Sequence, residues 1–286
     1  FVTVHENKPR SLGAELEGTN SAGDLGAALL LTYQNRNLFR GSELLSLKLR
    51  GAFEAITGLE GYSDQNYMEI SVEAGLTFPN FRLFRFNGRD RGLMRATSEI
   101  SLLYDSQNRP EFHRRVLTSA LRYRWQSPNG LLRHRIDLID LNYVFMPWIS
   151  ETFRKDYLED ETDRNAILRY NYEDIFIMKT GFTVSYTDGV DAVRANFESA
   201  GNLLNGVSKG FGFKTNSQGQ HTLFNIAYAQ YVKFDFDYTH LFQFDKRNAL
   251  ALHAGLGVAY PYGNSTVLPL SLIHISEPTR LGMISY

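Results

Sequence analysis

The chain has 286 residues, enough for one large domain or two small ones, with a formal net charge of −1 and pI about 6.7. That balance gives no reason to expect nucleic acid as a partner. Cysteine is absent, which excludes disulfides and thiolate chemistry, and no run reaches the roughly 20 apolar residues that a membrane-crossing helix needs.

Period-two alternation dominates the chain, because side chains on a strand point to opposite faces in turn. Residues 10–18, 24–36 and 43–56 open the series, with Leu45, Leu47 and Leu49 alternating with Ser46, Lys48 and Arg50. In 67–78, Met68, Ile70, Val72, Ala74, Leu76 and Phe78 share one parity; Glu69, Ser71, Glu73, Gly75 and Thr77 share the other. Residues 94–105, 113–126 and 131–146 come next, Leu117, Leu121, Tyr123 and Trp125 alternating with Thr118, Arg122, Arg124 and Gln126. The last predicted strands are 173–187, 190–203, 222–236 and 247–260. Around the tenth, Phe234, Phe236 and Tyr238 alternate with Lys233, Asp235, Asp237 and Thr239. In the eleventh, Leu250, Leu252, Leu256, Val258 and Tyr260 oppose His253, Gly255, Gly257 and Ala259. Many of these runs exceed the roughly 5–6 residues usual in globular strands and reach the 9–11 or so of a tilted bilayer crossing.

The connections carry a second pattern. Ser127-Pro128-Asn129-Gly130 and Asp188-Gly189 hold the dipeptides favoured in type I′ hairpin turns, and Asp245-Lys246-Arg247-Asn248 forms a third polar turn. Links after the third, fifth, seventh and ninth strands are expected to be longer, notably 147–172 and 204–221, with 79–93 an exception. Long loops at one end and short turns at the other suit an outer-membrane barrel. So do 20 Phe and 16 Tyr in a chain of mean hydropathy −0.29, although a soluble all-β core would also use them. The fold class expected is all-β: a transmembrane antiparallel β-barrel, incomplete, with about 11 of an expected 16 strands. Single-chain bacterial barrels have even strand numbers, and hydrocarbon does not tolerate open strand edges.

Several stretches carry a family resemblance. Glu6–Glu43, with its Arg36-Asn37-Leu38-Phe39-Arg40-Gly41 turn, resembles the start of the barrel in the BamA/TamA superfamily of outer-membrane assembly proteins. Ser106–Arg115, Asn142–Phe153 and Gly255–Pro269 resemble its TamA-like branch. The resemblance implies a lumen loop bearing Val-Arg-Gly-Phe or Val-Arg-Gly-Trp after the last of these, and the sequence instead changes character at Leu270. Leu270–Arg280 resembles a translated sequencing adapter, so 1–269 is expected to be a partial barrel domain and 270–286 a non-native tail. A twelfth strand is the alternative for that tail.

In this family the barrel closes weakly between its first and last strands. By resemblance the seam strand is Arg10, Ser11, Leu12, Gly13, Ala14, Glu15, Leu16, Glu17 and Gly18. Gly13 and Gly18 would weaken it, or would accommodate barrel curvature. The resemblance implies insertion or translocation of other envelope proteins, membrane lipid as surroundings, and a lipoprotein-anchored or inner-membrane partner. No cofactor, bond-making chemistry or nucleic acid is implied. A passive channel, the translocator barrel of a surface enzyme and a soluble β-rich binding module are the alternatives.

Catalytic patterns are weak. The seven His show no metal-ligand spacing, and His253 is expected to face the lumen. The acidic run Asp156, Glu159, Asp160, Glu161, Asp163 lacks the offsets of a calcium loop, and Gly210 and Gly212 lack a phosphate-loop context. Asp137 and Asp140, near Arg133 and Arg135, read as a lumen charge ladder rather than an acid–base pair.

Overall fold

The computed structural model describes residues 8–21, 24–56, 66–80, 95–155, 172, 174–211, 215–216, 219–223, 226–245, 247–265 and 268. Its first nine strands are β1 (Arg10–Ser21), β2 (Asp24–Asn35), β3 (Leu44–Ala55), β4 (Asn66–Phe78), β5 (Arg95–Asn108), β6 (Phe112–Gln126), β7 (Leu132–Ile149), β8 (Ile175–Thr187) and β9 (Asp191–Ala200). Two short strands, β10 (Thr222–Leu223) and β11 (Ile226–Ala227), precede β12 (Tyr231–Gln243) and β13 (Ala249–Pro261). All but β10 and β11 form one eleven-stranded sheet. Every neighbouring pair is antiparallel, and each strand lies beside the next one of the sheet in the chain. The sheet does not close: among the described residues β1 pairs only with β2, and β13 only with β12. The all-β antiparallel architecture expected from the alternation is therefore observed, in a form consistent with an incomplete barrel.

Register explains why the alternation makes two continuous faces. Leu16 lies opposite Leu29, Leu31 opposite Leu49, and Leu49 opposite Val72. Val72 meets Tyr104 and Tyr104 meets Leu117. Further on, Phe182 meets Phe197, Phe197 meets Phe234, and Phe234 meets Val258. One face of the whole sheet is thus apolar and exposed, with Leu12 at 77% and Leu16 at 82% of full accessibility. Large contiguous apolar exposure of this kind marks an interaction surface. Aromatic rings gather near both ends of it. Trp125 stacks on His134 (4.7 Å) and His240 meets Phe242 (4.3 Å) at one end; His113 meets Trp148 (4.8 Å) at the other.

Strand β7 reaches 18 residues because it absorbs two irregularities. Register shifts between Asp137 and Asp140 on the β8 side, and at the same place on the β6 side, leave Leu138 as an extra residue. Arg133, Arg135 and Asp137 precede it on odd numbers; Asp140 and Asn142 follow on even numbers. The bulge consumes the slip and keeps all five on one face. A second shift, between His113 and Arg115 of β6, accommodates Pro147, which has no N–H to give a ladder.

Three hairpin turns sit at one end, the turn end. Among the described residues of these three turns, only Gly130 and Gly189 have positive φ, at 77° and 97°; Asn129 and Asp188 do not. Type I′ needs both central residues at positive φ, so the expected turn type is corrected. In the second hairpin Asp188 N–H donates to Asp191 O, so the two-residue loop is Gly189-Val190, with glycine in the first central place as in type II′. In the first, Gly130 N–H donates to Ser127 O across Pro128-Asn129 (2.9 Å). Asp245 builds the third turn by accepting from the N–H groups of Arg247 (2.6 Å) and Asn248 (2.8 Å). The link after β5 is also corrected: β5 runs to Asn108 and β6 starts at Phe112, leaving three residues where a long loop was expected. Residues 81–94, most of the exceptional long link, lie outside the described residues, as do 156–171 with the acidic run and 269–286 with the expected tail.

The tenth predicted strand, 222–236, is also displaced. Strands β10 and β11 make a small separate hairpin, Tyr228 makes one parallel bridge to Phe176 of β8, and the chain enters the ladder of the sheet at Tyr231. The ninth ends at Ala200, not 203, because Gly201 turns with φ 73° into helix α2 (Asn202–Phe211), following the short α1 (Glu151–Phe153) in chain order. A Cβ on Gly201 would stand 2.4 Å from Ala229 O, so no other residue fits without movement. The buried core sits at this loop end: Phe176, Leu204, Ile226 and Tyr228 form one cluster, and Ile177, Ala200, Ala229 and Tyr231 another.

A buried amide pair fastens this end. Asn264 N–H donates to Gln230 Oε1 (2.9 Å), and its Nδ2 donates to the carbonyls of His221 and Tyr228 (2.9 Å each). Gln230 Nε2 donates to Asn202 Oδ1 (3.0 Å), tying the helix start to the chain leaving β13. These bonds redirect residues 228–230 away from strand geometry, which is why alternation misplaced the tenth strand.

Candidate functional site

The predicted seam residues Arg10 to Gly18 all lie in β1, which runs three residues further, to Ser21. Arg36 N–H donates to Pro9 O (2.8 Å), which fixes the phase of the β1–β2 ladder. Antiparallel bonds alternate, so Ser11, Gly13, Glu15 and Glu17 turn their backbone groups to β2. Arg10, Leu12, Ala14, Leu16 and Gly18 turn theirs to the unpaired edge. The same alternation operates at β13. Phe244 N–H donates to Asn248 O (3.1 Å), placing even-numbered residues in the β12 ladder. The free groups there belong to Ala249, Ala251, His253, Gly255, Gly257 and Ala259. Both edges are strands of 12 or 13 residues whose outward donors and acceptors meet no strand among the described residues.

Packing does not require the two seam glycines. A Cβ on Gly18 would meet nothing within 4 Å, and one on Gly13 only Thr32 O at 4.0 Å. The glycines of β13 differ. A Cβ on Gly255 or Gly257 would come within 3.2 Å of a carboxylate oxygen of Asp237 or Asp235. Those glycines make room for acidic side chains from the neighbouring strand.

Beyond β1, the Arg36–Gly41 turn that carries the family resemblance is built around Glu43, which is 1% exposed. Its carboxylate accepts from Phe39 N–H (3.2 Å) and Gly41 N–H (2.9 Å). The turn is held by a buried acid that the motif itself does not include.

The second face of the sheet is charged and more enclosed. Arg50 bridges Glu69 (2.7 Å) and approaches Glu17 (3.9 Å); Lys48 meets Glu73 (3.0 Å). Arg122 joins Glu99 (3.4 Å), Asp137 (3.3 Å) and Asp140 (3.9 Å), and Arg135 also meets Asp137 (2.9 Å). Asp137 and Asp140 are thus engaged by arginine, as a charge ladder. Lys179 pairs with Glu198 (3.4 Å) and Lys233 with Asp235 (3.2 Å). His253 shares this face, 3.3 Å from Asp237. Partly exposed pairs contribute only about 0–1 kcal/mol each, so the network's main effect is to make this a wet surface.

Sequence reasoning missed the bulge at Leu138, helix α2 and the Gln230–Asn264 fastening. The first had a visible signal, since Ile136-Asp137-Leu138-Ile139-Asp140-Leu141 repeats with period three. The last rests on residues 34 apart and had none. No family model matches the sequence, and no curated protein resembles it closely enough to count as a relative.

Proposed function

We propose that this chain is part of an outer-membrane β-barrel of the BamA/TamA type, which inserts or translocates envelope proteins by templating strands at its open edge. The observation that carries the reading is an eleven-stranded antiparallel sheet, apolar on one face and ion-paired on the other, ending in β1, whose outer edge has no strand partner among the described residues. Strands of 12–15 residues extend about 40–50 Å at roughly 3.3 Å per residue. Tilted near 45°, they cover the ~30 Å hydrocarbon thickness. Lipid then takes the place of solvent against the apolar face. The edge of β1 offers what β-augmentation uses: main-chain groups in register, with side chains alternating beside them. Gly13 and Gly18 make that strand easier to peel, since neither is needed for space.

The test uses the full-length protein in membranes. Cysteines at Leu12 or Leu16 are expected to cross-link to a strand of a newly made envelope protein, and depletion to lower the amounts of other outer-membrane proteins. Gly13→Val with Gly18→Val is expected to slow that activity without lowering fold stability, because the β1–β2 pairing becomes harder to open. The charged face also favours a second reading, a passive channel. Selective solute conductance without any effect of depletion on other envelope proteins would establish the channel and sink the insertase.

A further inference from the structure

The charged face carries an excess of arginine at the turn end. Register sets Arg124 directly opposite Arg135. One row along, Arg133 lies opposite Ser185, and Ser185 opposite Arg194. Like charges set opposite each other across strands are destabilising unless something neutralises them. Carboxylates pair with only half of the group: Asp237 lies opposite Arg194 in register, but its carboxylate is 3.3 Å from His253 instead. Arg124 has Glu99 (2.6 Å) and Arg135 has Asp137 (2.9 Å), and both acids are shared with Arg122. Arg133 and Arg194 have no ion pair or hydrogen bond with any described residue, and the Thr97 and Ser185 hydroxyls have no side-chain partner there either. Thr97, Arg124, Arg133, Arg135, Ser185 and Arg194 line one open cavity of about 310 Å³.

We propose that this cavity binds a water-borne oxyanion of the phosphate class. Arg133 and Arg194 stand two strand spacings apart, about 9.6 Å, with Ser185 between them. Two extended guanidinium groups converge across that gap on a single anion above Ser185. A tetrahedral oxyanion has enough acceptor oxygens for two planar forks and two hydroxyls at once, and bidentate recognition of phosphate is what arginine does better than lysine. The volume lies at the small end of ligand sites, which suits an anion with its waters. The arginines and hydroxyls of the cavity lie on the charged face, with the sheet between them and lipid headgroups beside the apolar face, and Trp125 and His134 are also among its lining residues. The assignment depends on the register of β6–β9 and holds whether or not the chain inserts proteins.

The experiment titrates inorganic phosphate into the full-length protein in alkyl maltoside micelles at low ionic strength, read by calorimetry and by phosphorus NMR line width. Saturable one-to-one binding is expected, weakened at least tenfold by Arg133→Gln with Arg194→Gln. Arg133→Lys keeps the charge but loses the fork and is expected to weaken binding several-fold. Arg50→Gln, at a paired arginine elsewhere on the same face, is expected to leave binding unchanged, and circular dichroism checks that each variant is folded. Equal competition by chloride at matched ionic strength would overturn the site in favour of diffuse charge. Binding of phosphatidic acid in mixed micelles without binding of inorganic phosphate would overturn the water-borne source.

Discussion

At the scale of single residues, the structure concentrates its constraints in turns and in the fastening at the loop end. Gly263 has φ 60°, and a Cβ there would lie 2.3 Å from Gln230 Oε1. Gly263→Ala is therefore expected to cost roughly 1–3 kcal/mol through strain and displacement of Gln230. Asn264→Ala removes the donor to two carbonyls, each costing about 1–3 kcal/mol if left without water. Equilibrium unfolding of the full-length protein in urea checks both; wild-type stability in either variant would show the fastening to be ornamental. Asp188 gives a pH prediction. Its carboxylate accepts from the N–H groups of Val190 (2.9 Å) and Asp191 (2.8 Å), which hold its pKa below the usual carboxylate range. A lowered native pKa stabilises the turn above the unfolded value of about 3.9, and that gain is lost as pH falls through the native value. Amide exchange at Val190 and Asp191, corrected for intrinsic rates, should accelerate over that acid range in the wild type. In Asp188→Ala it should be fast at every pH.

At the scale of elements, β7 shows both the reach of period-two reading and its failure. Most strands were legible because one parity is apolar and the other polar over ten residues or more, and their observed ends fall close to the predicted ones. The slip at Leu138 was not legible as a bulge, because a phase change in one strand looks like a weak pattern until its neighbours fix the faces. Deleting Leu138 should be tolerated, because Asp137 and Ile139 then follow each other in unbroken alternation and every side chain of β7 keeps its face. Deleting Val184 from β8, whose ladder with β9 has no register shift, should be far worse, because the side chains on one side of the deletion must move to the wrong face. The readout is assembly into membranes, and equal loss of assembly in the two variants would contradict the bulge. The free groups of the candidate seam were not legible either, since a strand's outward N–H groups depend on which side its partner takes. The arginine cavity was legible only in part. The sequence places arginine at 133 and 135, but only register brings Arg124 and Arg194 beside them.

At the scale of the whole molecule, the direction of the strands matters most. With eleven antiparallel strands, β1 and β13 run the same way, so direct closure would pair them in parallel. Closure with antiparallel pairs throughout needs an odd number of further strands between them, which agrees with the proposed sixteen. The apolar face sets the surroundings. Leu49→Arg is expected to lower stability in a bilayer by about 2–4 kcal/mol, whereas Ser46→Arg, on the charged face, is tolerated. Similar losses from the two would argue against lipid on that face.

Lipid against one face of the sheet and water against the other is the condition on which the barrel depends. The chain has no cysteine, so single cysteines introduced through β4 can each carry a spin label in the full-length protein in bilayers. At positions 70, 72 and 74 the labels should collide with oxygen dissolved in lipid; at 71 and 73 they should collide with a water-soluble nickel complex. Nickel access at all five positions, with no alternation, would contradict it.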